Sequence, residues 1–180
     1  MSAVALAVGA WFNARRRAAI TRGRRLLHDV RDGEAAAVVG RVILRSPALR
    51  APFSGRDCAS FRGYKSRYID HGGAGGNVEE GHAEAYSDFD LEDQTGRARV
   101  TMSRGVVVED PPVGVGRDGE WSCFEWALTE GLHVCVVGVA RWEQVPTLEV
   151  PSRGAPPTAS GPFREAPRGL RIDASRIFSV

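Results

Sequence analysis

The chain has 180 residues, 43% of them hydrophobic and 26% charged, with only 3 Cys. That describes one domain with a modest core. It excludes a disordered chain and a disulfide scaffold, and no run reaches the roughly 20 apolar residues of a complete membrane-spanning helix. The formal charge of +2 is unevenly placed: residues 1–31 hold seven Arg and one acid, a net +6, whereas residues 32–180 hold 17 basic and 21 acidic residues, a net −4. A basic tip on an acidic body argues against nucleic acid as a partner bound through a broad basic face.

Residues 3–12 (AVALAVGAWF) carry no charge and are followed by Asn13 and then Arg15-Arg16-Arg17. A secretory signal carries its positive charge before the apolar run and ends in a small-residue cleavage site; this run has neither. It is half a membrane span, with Trp11 and Phe12 where an aromatic belt sits and Arg15, Arg16 and Arg17 on the cytoplasmic side. Two readings stand. In one, the run is the cytoplasmic end of a membrane helix that starts further upstream, with those five residues at the lipid. In the other, it is a short helix packing its Ala/Val/Leu face on the body. Residues 14–30 continue as a helix, with Ile20, Leu26, Leu27 and Val30 at helical spacing and arginines on the other faces. Gly23 weakens it by about 1 kcal/mol, and Asp32-Gly33 ends it.

From Glu34 the pattern is β. Strands are expected over 36–44, 57–70, 83–92, 97–100, 105–108 and 132–142, the last (LHVCVVGVARW) being the strongest. Residues 71–77 (HGGAGGN) form a flexible hairpin connection, and 120–126 is rich in aromatics. Five prolines make 151–168 a loop. Leu170–Asp173 and Arg176–Val180 are a final strand or pair within 169–180. One N-terminal helix followed by many short strands predicts a mainly β protein, a barrel or sandwich, with the barrel domain over 32–150.

The chemistry-bearing residues read mostly as scaffold. Cys58, Cys123 and Cys135 lie outside C-x-x-C reach of one another, and no zinc spacing of His accompanies them. Reduced thiols fit a cytoplasmic body. The segment DFDLED (Asp88–Asp93) places Asp88, Asp90 and Glu92 on one strand face, in water, with Phe89 and Leu91 inward. It lacks the glycine and glutamate of a calcium loop. HGGAGG is similar to an esterase oxyanion element, but no G-x-S-x-G nucleophile turn accompanies it. Trp121, Phe124, Trp126 and Trp142 would suit stacking on single strands with Arg97, Arg99 and Arg104, although Glu120, Glu125 and Glu143 flank them and core packing is the simpler use. A hydrolase using His82 or His133 lacks a visible nucleophile. No metal or cofactor is implied.

Three stretches carry a resemblance. They are Val39-Gly40-Arg41-Val42 with Leu49-Arg50-Ala51-Pro52-Phe53-Ser54-Gly55-Arg56-Asp57-Cys58-Ala59-Ser60-Phe61, then Phe89–Val100 (FDLEDQTGRARV), then Gly131–Ala140 (GLHVCVVGVA). Together they resemble the GIDE-type domain, with its G-x-V, P-x-S-G-x-x-C, F-x-L-x-D-x-T-G and V-x-V-x-G elements in this order, over about residues 34–145. The resemblance implies an oligonucleotide-binding-like β-barrel. Ser54-Gly55 would make a tight turn before Cys58, a small hydrophobe on a barrel wall. Asp93, Thr95 and Gly96 would cap a hairpin, with Gly96 at positive φ, and Gly138 would mark a bulge or bend. Eukaryotic members are membrane-anchored ubiquitin ligases of the MULAN type that end in a RING. Three Cys and four His fall short of the eight ligands a RING needs, so ligase activity does not carry over. Bacterial proteins similar to this one have a membrane helix, a basic segment and then the domain. The expectation is a non-catalytic interaction module whose body lies in the cytoplasm. Residues 1–31 would hold it to a membrane surface or lipid headgroups, with a protein partner of unknown identity. If the N-terminal segment packs on the body, the protein is simply cytoplasmic. A single-strand nucleic-acid-binding barrel is the alternative.

Overall fold

Alternation of apolar and polar residues builds most of the protein. The computed structural model describes residue 20 and residues 23–70, 75–110, 112–144 and 168–180. Residues 1–19, with Trp11, Phe12, Arg15, Arg16 and Arg17, lie outside the described residues, as do the hairpin tip 71–74 and the Pro-rich stretch 145–167.

The strands are β1 (Ala35–Leu44), β2 (Leu49–Arg50), β3 (Asp57–Ile69), β4 (Gly76–Tyr86), β5 (Phe89–Asp93) and β6 (Gly96–Thr101). They continue as β7 (Val107–Val108), β8 (Val113–Asp118), β9 (Trp121–Thr129), β10 (His133–Gln144) and β11 (Arg168–Ser179). Five of them close a barrel in the order β1-β5-β6-β11-β10 and back to β1. All ring pairings are antiparallel except β6 with β11, which is parallel. Period-2 burial fills the interior with Val38 and Val42 of β1, Phe89 and Leu91 of β5, Ala98 and Val100 of β6, Val134 and Val136 of β10, and Leu170, Ile172 and Ile177 of β11. The chain between β1 and β5, and that between β6 and β10, supply a second sheet: β8-β9-β3, with β2 and β4 both pairing with β3. Its Ala59, Trp126 and Leu128 join the barrel core.

Several expectations meet the structure differently. The helix over 14–30 does not extend through its described end. Arg25 instead makes a parallel bridge to Val38, its N–H donating to the Ala37 carbonyl at 2.9 Å, and only a 3-10 turn forms at Leu27–Asp29. The backbone donors of this stretch are bound to the barrel, which outweighs helical propensity. Leu27 and Val30 are core residues at 3% exposure. The barrel therefore draws on residues before 32, and β11 supplies one of its five staves from the C-terminal end.

The strand expected over 83–92 is two strands in two sheets. The chain changes sheet at Ser87–Asp88, where Ser87 N–H donates to the Ala59 carbonyl at 2.7 Å and the Asp88 carboxylate accepts Met102 N–H at 3.2 Å. Both halves keep the same alternation, so periodicity alone does not reveal the break.

The last two expected pieces are one strand, β11. Its register against β10 shifts at Val137/Gly138, and its buried phase moves from Leu170 and Ile172 to Ile177. Gly138 sits at that shift. A Cβ there would lie 2.4 Å from the Asp173 carbonyl oxygen, so only glycine permits the close approach.

Candidate functional site

Asp93 ends β5 and organises everything around the first turn of the barrel. Its Oδ1 accepts Thr95 N–H at 2.7 Å, Thr95 Oγ1–H at 2.6 Å and Gly96 N–H at 3.1 Å. Its Oδ2 reaches across to the N-terminal segment and accepts Leu27 N–H at 2.8 Å. Thr95 Oγ1 in turn accepts His28 N–H at 3.3 Å. Partial burial works against the charged carboxylate, but the hydrogen bonds from Thr95, Leu27 and Gly96 outweigh it and hold its pKa below the ordinary value of 3.8. Gly96 is not at positive φ: it belongs to β6, and among the described residues no non-glycine residue is at positive φ either. The Asp93 side chain, rather than a left-handed glycine, makes this turn.

The same N-terminal segment is held at its other end. Trp142 donates Nε1–H to the Val30 carbonyl at 3.2 Å, and its N–H goes to Asp32 Oδ1 at 2.9 Å. Gly33 N–H then donates to the Ala140 carbonyl at 2.8 Å, leading into β1. The residues that follow the apolar run are therefore part of the barrel wall from Arg25 onward.

Between this segment and the barrel lies a groove of about 430 Å³, lined by Arg24, Arg25, Leu26, Val39, Gly40, Arg41, His133 and the Glu92–Gln94 turn. Arg41 and His133 face each other across β1 and β10. Arg41 pairs with Glu92 at 2.7 Å, Arg97 with the same Glu92 at 2.9 Å, and Arg25 with Glu34 at 3.2 Å. The two arginines pull the Glu92 carboxyl below its usual range.

The acids of the DFDLED segment are thus not left to water. Phe89 and Leu91 point inward as the alternation predicts, but Asp88 pairs with Arg99 at 2.6 Å and Asp90 with Arg45 at 2.8 Å. The acidic face of Asp88, Asp90 and Glu92 is covered by Arg41 of β1, Arg45 just beyond its end, and Arg97 and Arg99 of β6. No group of metal-ligating side chains occurs among the described residues.

The Ser54-Gly55 turn is a second acid-held element. Gly55 is at φ +67°, Gly55 N–H donates to the Ala51 carbonyl at 3.0 Å, and Ala51 N–H to the Arg56 carbonyl at 2.9 Å. Glu125 of β9, 3% exposed, accepts Phe53 N–H at 2.9 Å, Ser54 N–H at 3.3 Å and the Ser54 hydroxyl. Sequence reasoning treats Glu125 only as a charge flanking aromatics. The signal for its burial is its place on the same alternation as Cys123 and Ala127 in β9. Cys58 follows this turn on β3 of the second sheet, not on the barrel wall. Burial, then Glu125 and Asp57, pushes its thiol up to about 11, and burial with Glu109 does the same to Cys135. At neutral pH both are protonated and poor nucleophiles.

No protein-family model, no curated protein and no solved structure matches the chain.

The aromatic residues do not gather on one face. Trp126 is core, Trp142 holds the N-terminal segment, and Trp121 lies under the Arg67 guanidinium at 4.6 Å. Phe124 stacks on Tyr64 with ring centroids 5.2 Å apart, and Tyr64 stacks on His82 at 5.7 Å, a three-ring row across β9, β3 and β4 that the sequence does not announce. Arg97 and Arg99 stand on the barrel in ion pairs, while Arg104 lines a shallow hollow with Glu84 and Tyr86. His82 and His133 are far apart in the topology, one on β4 and one on β10. Among the described residues no helix is long and apolar enough to cross a membrane.

Proposed function

We propose that this protein is a non-catalytic, GIDE-type interaction module held at a membrane surface through its N-terminal segment. The observation that carries the proposal is the junction at Arg25–Val30. The stretch Arg25–Val30, about a dozen residues after the apolar run 3–12 in sequence, is bridged to β1, bonded to Asp93 and buried through Leu27 and Val30, so the barrel is already engaged shortly after that run. Arg15, Arg16, Arg17, Arg22, Arg24 and Arg25 crowd the same stretch, the arrangement that anionic headgroups attract. The family resemblance adds the order of membrane helix, basic segment and domain. It also gives roles to Ser54, Gly55, Cys58, Asp93, Thr95, Gly96 and Gly138 as scaffold. The partner on the body is a protein, and the second sheet, with its row of half-buried Phe124 and Tyr64 and exposed His82, is the surface offered to it. Cell fractionation tests the tether: the full chain is expected in the membrane fraction, and residues 23–180, which keep Leu27 and Val30, in the supernatant. A full chain found wholly in the supernatant sinks the proposal.

A second reading has one observation in its favour. Counting only the barrel strands in chain order, the ring runs first, second, third, fifth, fourth, with the third and fifth parallel. That order supports the oligonucleotide-binding-like description of the barrel. On this reading the full chain binds single-stranded DNA or RNA with an affinity that falls as salt rises. Titration of a fluorescent oligonucleotide at low salt without any binding ends it. The ion pairs on Arg97 and Arg99 make this the weaker of the two.

A further inference from the structure

We propose that the groove between the Arg24–Leu26 stretch and β1 receives the phosphate of an anionic lipid headgroup, so that the barrel itself, and not only the preceding tail, touches the membrane. This rests on the membrane reading above. Four basic side chains, Arg24, Arg25, Arg41 and His133, line the groove, against two acids, Glu92 and Asp93. Both acids are already engaged. Glu92 is shared by Arg41 and Arg97, and Asp93 accepts four hydrogen bonds from Leu27, Thr95 and Gly96. Arg24 is exposed and makes no salt bridge with an acid among the described residues. Arg25 is paired with Glu34 and Arg41 with Glu92, so Arg24 is the arginine of the groove left to meet a phosphate, with both lining carboxylates already engaged. Leu26 and Val39 supply an apolar flank, and the volume of about 430 Å³ admits a phosphodiester with its glycerol. Arg24, exposed and part of the lining, lies about a dozen residues after the apolar run 3–12 in sequence. A free phosphate ion shares the chemistry. The membrane is the source favoured, because Arg24–Leu26, which line the groove, directly follow in sequence the apolar and basic stretch whose composition suits a lipid interface.

The test uses the full chain and flotation with two vesicle types, phosphatidylcholine alone and phosphatidylcholine with phosphatidylglycerol. The double substitution Arg24→Gln/Arg41→Gln is compared with Arg117→Gln, an exposed cation on β8 of the second sheet. Melting curves confirm that each variant is folded. The expected result is that the double variant loses about tenfold in affinity for the anionic vesicles, that Arg117→Gln loses little, and that binding to neutral vesicles is unchanged. Inorganic phosphate at matched ionic strength should leave this difference in place. Equal losses for both variants, or none for the double variant, overturn the groove, as does erasure of the difference by inorganic phosphate, which would make it a free-anion site. If the full chain binds neutral and anionic vesicles alike, the tether stands and the groove falls. If it binds neither, both fall.

Discussion

Asp93→Ala is expected to lower the unfolding free energy by about 2–3 kcal/mol and to loosen the N-terminal segment before the rest of the barrel. The substitution removes the acceptor for Leu27, Thr95 and Gly96 N–H groups at one stroke. Asp93→Asn separates the two duties of the carboxylate. Its amide oxygen can keep the Thr95 and Gly96 bonds, but its amide nitrogen then faces Leu27 N–H, donor against donor. The expected signature is a smaller loss of stability than for alanine, with amide hydrogen exchange raised at Leu27 and His28 but not at Gly96. Equal exchange at all three sites, or none, would count against the segment being latched by this residue. The same bonds set an acid dependence. Because the folded carboxyl titrates below 3.8, its contribution is complete above that pH and is lost as the pH falls through the lower folded value. Wild-type stability should therefore drop more steeply in that acid range than that of Asp93→Asn, measured by urea midpoints at a series of pH values.

Glu125→Ala is the second substitution with a large expected effect, about 2–4 kcal/mol. It would leave two backbone donors and a hydroxyl, those of Phe53 and Ser54, without their acceptor beside a buried strand. Glu125→Gln keeps one oxygen in place and should recover about half of the loss. Ser54→Ala removes only one of the three donors and should cost about 1 kcal/mol. A Glu125→Ala protein as stable as wild type in denaturant unfolding would mean that the Ser54-Gly55 turn holds itself.

These two acids also show what was legible in the sequence. The alternation of apolar residues in 36–44, 97–100 and 132–142 locates three barrel strands, because a side chain on a closed wall must face either core or solvent. Gly138 and Gly55 are legible for the same local reason: one meets a neighbouring backbone and the other needs positive φ. The Asp93 turn is foreseeable, but not its bond to Leu27, which is 66 residues away in the chain and depends on the barrel being closed. The helix expected through 30 fails for a like reason. Spacing of Leu27 and Val30 is equally compatible with an extended segment laid along a barrel, and only the tertiary hydrogen bonds to Ala37 and Asp93 decide. β8 (VGVGRD) has too few side chains with a strand pattern to be seen. The pairing of the β5 acids with Arg41, Arg45, Arg97 and Arg99 needs the ring order, which composition does not carry.

The charge division of the chain takes a different form in the structure. The +6 of the first 31 residues is not all a tail: Arg24, Arg25 and Arg31 belong to a segment fixed on the barrel. Arg24, Arg25 and Arg41 meet the Glu92–Gln94 turn of the acidic body at a defined groove, where the proposed tether would lead into the domain. Flotation of the full chain and of residues 23–180 with phosphatidylglycerol-containing vesicles tests this most directly. The full chain should rise with the vesicles, and the shortened, folded barrel should stay largely at the bottom. A full chain that does not rise, or a shortened chain that rises equally well, contradicts a membrane module held through its N-terminal segment.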